Sequence, residues 1–243
     1  MQSTLFVLGL LLTLAGPAAQ AQTAAADSSL LAAAVQQARG QYARTVRNES
    51  YLYSGSEYVN YHESYVAGHQ FFLSTEDSPG VVDYDGAVYA VPLRYDMRLD
   101  QVVLKYPGVN LYLKLVPEKV RRFAVHNHTF VRLAADTLAG SPIKTGFYDL
   151  LHEGRVQLLA RRVKYLQTKT TPDGPTGEYQ LVTEFYARQG GGYRALSGKK
   201  AVLELFPARK AELQKFIRDN QLKFNKKTKE AAIVALVKYG DAL

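Results

Sequence analysis

From about residue 50 to about residue 195, apolar side chains recur at every second position, broken at short intervals by turn-forming pairs. A period of two sends alternate side chains to opposite faces of an extended chain, so this stretch buries its apolar half by pairing strands into a sheet. The clearest case is Val81-Val82-Asp83-Tyr84 and Ala87-Val88-Tyr89-Ala90 around Asp85-Gly86, a pair that tolerates the positive φ angles of a type I′ turn. Val102, Leu104 and Tyr106 answer Leu111, Leu113 and Leu115 across Pro107-Gly108, a second hairpin. The pattern continues through 123–133, through 147–152 turning at Glu153-Gly154 into 155–167, and through 179–188, returning after three glycines at Tyr193. About nine or ten strands joined by short turns predict antiparallel meander pairing. Two longer stretches, 134–146 and 168–178, are rich in Gly, Pro, Thr and Asp and read as loops in which a lid or binding loop would sit.

After Ser197 the period returns to that of a helix. Ala201, Val202 and Leu205 predict a short helix stopping at Phe206-Pro207. Leu213, Phe216 and Ile217 predict a second that Pro207 opens, and Ile233, Leu236 and Val237 a third, capped by Asn225 and closed at Gly240. Each has one apolar and one basic face, so the lysines should point outward. Ahead of the strands, Leu30, Leu31, Val35 and Ala38 fall at helical spacing between a cap at Asp27 or Ser28 and Gly40. The predicted fold class is α+β: a large twisted antiparallel sheet, at most curled into a partial barrel, with an N-terminal helix and a C-terminal helical cluster. Residues 28–243 are read as one domain, sheet and first helix over 28–196 and a basic helical tail over 197–243.

The first 21 residues carry no charged side chain, run apolar from Leu5 to Leu14, and pass Pro17 to end in Ala19-Gln20-Ala21. This is the pattern of a signal peptide cut after Ala21, followed by a flexible leader over 22–27, and it predicts export to the periplasm or beyond. Zero cysteines exclude a disulfide framework, so the core alone must hold the fold. The net charge of +8 is concentrated at the C-terminus, where residues 197–243 hold eleven Lys or Arg against five Asp or Glu. Such a tail suits an anionic membrane surface or an acidic polysaccharide, and export argues against nucleic acid as a partner.

Several segments together resemble an uncharacterised family of exported proteins common in Bacteroidota. The likeness rests on Leu52-Tyr53-x-Gly55-x-Glu57-Tyr58, Tyr84-Asp85-Gly86-x-x-Tyr89, Val91-Pro92-Leu93-x-Tyr95-Asp96 and Gly146-Phe147-Tyr148-x-Leu150-Leu151-x-x-Gly154, followed by the helical tail. It implies export and a single domain, and no activity comes with it.

Chemistry is sparse. His126 and His128, two apart in an expected strand, would project together as a weak metal pair, with His62, Glu63 and His69 as further ligands if the fold brought them across. Asp83, Asp85, Asp96 and Asp100 lie within eighteen positions of one another, Asp85 as a turn residue and Asp96 and Asp100 beside Arg94 and Arg98, which should neutralise them. There is no nucleophile elbow, phosphate loop, metalloprotease helix or cysteine, and no cofactor is expected. What remains is 17 tyrosines and no tryptophan. Tyr53, Tyr58, Tyr84, Tyr89 and Tyr95, with Glu57 and with Tyr61 and Tyr65 nearby, would line a concave sheet that holds an amphiphilic molecule or an envelope protein. A hydrolase using Glu57 or Asp96 with His126 or His128, and an interaction protein docking through its basic helices, are the alternatives.

Overall fold

A computed structural model describes residues 51–61, 63–135 and 141–243. The predicted signal peptide, leader and N-terminal helix lie outside the described residues. Leu52–Leu243 form one compact unit.

The described residues build twelve strands: β1 (Ser56–Glu57), β2 (Val66–Ala67), β3 (Ser78–Tyr84), β4 (Ala87–Asp96), β5 (Gln101–Lys105), β6 (Tyr112–Lys114), β7 (Val120–Val125), β8 (His128–Leu133), β9 (Gly146–His152), β10 (Gln157–Thr171), β11 (Gly174–Gln189) and β12 (Gly192–Ala195). They form one large open sheet in the order β1-β6-β5-β4-β3-β7-β8-β9-β10-β11-β12, with β2 added parallel to β11. Three helices follow, α1 (Lys199–Leu203), α2 (Lys210–Asp219) and α3 (Lys229–Ala242). The architecture is α+β, as the periodicity predicts.

Register explains where the core sits. Paired residues share a face, and one row crosses the sheet through Tyr89, Val82, Phe123, Phe130, Asp149, Ala160 and Phe185. On the first strands this face carries an interlocked set of rings: Phe123 stacks on Phe130 at 4.8 Å, and Tyr95 tilts against both at 5.1 and 4.9 Å. On β10 and β11 the same face is covered by the helices. Leu203, Leu213, Ile217, Ile233, Leu236 and Val237 bury their apolar stripe against Val156, Leu158, Ala160, Phe185 and Ala187. Each fully buried side chain of this size contributes about 1.5–3 kcal/mol relative to exposure.

The turns follow local chemistry. Asp85 and Gly86 both take positive φ, 51° and 81°, the type I′ geometry the dipeptide favours. His126 and Asn127 do the same, at 51° and 61°, so the expected continuous strand over 123–133 is instead the β7–β8 hairpin. Residues 168–178 are likewise no loop: Thr168 to Gly177 remain in register up to Thr171↔Gly174, leaving Pro172 and Asp173 as the turn of a long hairpin. Asn225 does not cap α3, whose N-cap is Thr228 with no side-chain capping bond; its Oδ1 instead closes the preceding turn, accepting the amides of Lys227 and Thr228 at 3.0 and 3.1 Å. Gly240 does not end α3, which runs on to Ala242. A Cβ there would lie 2.8 Å from the Phe206 ring, so this glycine serves a close helix–ring contact.

Candidate functional site

Between β1 and β3 the chain leaves one end of the sheet and straps across to the other. Its outward limb reaches β2, where Gly177 donates its amide to Tyr65 O at 3.0 Å and Val66 pairs with Gly177. Its return limb is sewn to the end of β4: Phe71 bridges Asp96, Phe72 donates to Tyr95 O at 2.8 Å, and Met97 donates to Gln70 O at 3.1 Å. Lys164 of β10 completes the seam by donating its ammonium to the carbonyls of His69 and Phe71, 2.6 and 2.8 Å. Burial holds the Lys164 amine below its ordinary value, against the pull of Asp96.

Strap, β4–β5 turn and the β10–β11 hairpin enclose a cleft of about 470 Å³. Rings and aliphatic groups from three elements line it: Tyr58, Tyr61 and Tyr65 from the strap, Leu99 from the turn, and Leu166 with its register partner Tyr179 from the hairpin. Polar groups meet them at Gln70, Asp96, Glu63 and Arg98. The floor is locked. Asp96, 1% exposed, accepts the Tyr58 hydroxyl at 2.8 Å through Oδ2 and the amides of Arg98 and Leu99 at 2.8 and 3.0 Å through Oδ1. Gln70 Nε2 donates to Tyr58 Oη at 3.0 Å and to Asn60 Oδ1 at 2.7 Å. Burial, reinforced by the negative charge of Asp96, pushes the Tyr58 hydroxyl far above its ordinary value, so it stays a neutral donor. At the mouth Tyr61 and Tyr65 are 63% and 39% exposed. A fixed polar floor beneath accessible rings can hold a ligand; the carboxylate in that floor is saturated with donors and poorly placed to abstract a proton.

Of the six residues singled out for ligand binding, the cleft takes Tyr58. Tyr84 and Tyr95 are 0% and 2% exposed and fill the aromatic core, Tyr95 donating its hydroxyl to Asp100 at 2.6 Å. They face the packed side of the sheet because their register partners are core residues, and no guest reaches them. Tyr53 and Tyr89 are half-buried against the same core, Tyr53 edge-on to Tyr106 at 5.4 Å. Glu57 is exposed on β1 opposite Leu113, outside the cleft. Sequence reading missed Gln70, Arg98, Leu99, Leu166 and Tyr179. Only the pairing of Leu166 with Tyr179 was accessible in principle, from a tight turn at Pro172-Asp173.

The histidine pair does not form. His126 sits in the β7–β8 turn and His128 opens the next strand, so the two rings do not share a strand face, and among the described residues no group of three or more His, Cys, Asp or Glu is placed to hold a metal ion. His128 Nδ1 instead lies 2.8 Å from Asp149 Oδ2, with Phe72 edge-on to its ring at 5.0 Å. Asp149, 1% exposed, also receives Arg162 Nε and Nη2 at 2.9 and 2.7 Å, and Arg162 reaches Glu230 of α3 at 2.7 and 2.9 Å. Burial opposes the Arg162 charge, but its bonds to Glu230 and Asp149 outweigh that and raise its pKa. Arg94 and Arg98 do not neutralise Asp96 and Asp100. Arg94 pairs with Asp77 at 3.0 Å and lies over Tyr112 at 4.0 Å, while Asp100 accepts the Phe147 amide and the Tyr95 hydroxyl, burial lifting its pKa above the usual carboxylate value.

Compared with protein-family models, curated proteins and solved structures, the chain matches none of them.

Proposed function

We propose that this protein binds a small amphiphilic molecule without turning it over, in the cleft between strap and hairpin, and that it does so outside the cytoplasm. The observation that carries this reading is the cleft itself: about 470 Å³, within the roughly 300–1,000 Å³ of small-molecule sites, with a hydrogen-bonded floor at Tyr58, Gln70 and Asp96 and exposed rings at its mouth. Tyrosine suits both halves of such a ligand, presenting an apolar face and a polar tip. Export is the reading of the first 21 residues, and the resemblance to exported Bacteroidota proteins supports it.

The test is native mass spectrometry on protein purified from its own cells without detergent. A single small-molecule adduct is expected, lost from a Tyr61→Ala/Tyr65→Ala variant. A bare chain mass in every preparation, or an adduct that the double variant retains, contradicts the reading.

A further inference from the structure

The helical tail carries a second concavity, of about 580 Å³, between α1 and α2. Exposed Pro207 contributes apolar surface to it above the buried Leu203, and Lys199, Lys200 and Lys210 stand around it with Glu204 as the acid among them. All three lysines are exposed, and among the described residues no ion pair holds any of them.

The charge of the tail is left uncompensated for a structural reason. Four of its five acids are already engaged: Glu212 with Arg209, Asp219 with Lys215, Glu230 with Arg162 of the sheet, and Asp241 with His152 and Arg155. Within the tail that leaves nine of eleven cations without an acidic partner from its own helices. Lys223, Lys226 and Lys227 add exposed charge on the connection between α2 and α3. A strongly cationic face with an apolar-floored groove is complementary to a surface that is anionic at its rim and apolar beneath, which describes the headgroup region of an anionic bilayer.

We propose that the α1–α2 groove docks this protein on anionic phospholipid, the three lysines engaging headgroup phosphate while the exposed Pro207 ring meets the acyl boundary. This surface is independent of the tyrosine cleft. Each lysine brought to such a surface contributes about 1 kcal/mol, so the three together correspond to roughly a hundredfold in partitioning.

The experiment is co-sedimentation of the full chain with vesicles of phosphatidylcholine containing phosphatidylglycerol, against vesicles of phosphatidylcholine alone. The ratio of the two partition coefficients cancels any contribution from the apolar run near the N-terminus. The ratio should be large at low salt and collapse at high salt. Lys199→Gln/Lys200→Gln/Lys210→Gln should reduce it at least about tenfold, whereas Lys105→Gln/Lys144→Gln/Lys169→Gln, outside the helical tail, should leave most of it. Equal binding to both vesicle types, a ratio unaffected by the groove variant, or an equal fall in both variants overturns the proposal.

Discussion

Tyrosine does two jobs here, and the difference between them is burial. Tyr58, Tyr95, Tyr148 and Tyr186 are nearly inaccessible, and burial lifts each hydroxyl above the ordinary phenol value of 10.0, Tyr186 to about 12. Each has a fixed partner: Tyr58 donates to Asp96, Tyr95 to Asp100, Tyr148 to Lys144 O and Tyr186 to Glu184. Because the folded values are raised, the fold favours the neutral phenol. Their contribution to stability is therefore complete below the unfolded value near 10 and is lost as pH climbs through the folded values. The urea midpoint should hold steady up to about pH 9 and fall steeply beyond about pH 10, with part of the phenolate absorbance appearing only as the chain unfolds. A smooth titration around 10 with an unchanged midpoint contradicts this. The residue scale also shows why Tyr84 and Tyr95 mislead on sequence alone. Alternation says that they share a face; it does not say whether that face is open or filled.

Among the elements, α3 is joined to the sheet by a charge relay as well as by its apolar stripe. Arg162 stands between Asp149 and Glu230, side chains 1% and 37% exposed, and the asymmetry fixes the consequences. Arg162→Met strands a buried carboxylate and should cost about 3–5 kcal/mol, and Asp149→Leu/Arg162→Met should recover most of it. Glu230→Gln, nearer solvent, should cost about 1 kcal/mol or less. Urea unfolding followed by circular dichroism measures all three, and equal small losses throughout contradict the relay. No sequence signal joins positions 128, 149, 162 and 230; register and helix docking do. The same holds for the strap. Hairpins at Asp85-Gly86, Pro107-Gly108 and Glu153-Gly154 are legible because glycine marks them. The turn at His126-Asn127 lacks that mark, so alternation alone runs through it as strand. The Thr- and Gly-rich run over 168–178 has the composition of a loop, although a two-residue turn suffices once 168–171 and 174–177 pair.

For the whole molecule, one face of one sheet is divided between an aromatic core over the early strands and a helix-covered core over the late ones. The strap closes neither. It crosses from β1 to β11 and leaves a cleft where residues near 58–70, 96–99, 166 and 179 converge. The α+β class and the apolar faces of the helices could be read from periodicity, but the cleft could not, because four distant segments build it. Tryptophan is absent from the chain, so Tyr61→Trp introduces a lone indole at the mouth of this cleft. Titrating that variant with the amphiphilic probe 1-anilinonaphthalene-8-sulfonate reads occupancy directly. The account predicts saturable energy transfer at one probe per chain, abolished when Leu166→Asn and Tyr179→Ala are added. Transfer that never saturates, or that survives those two changes, would show that the cleft is not where this protein holds a ligand.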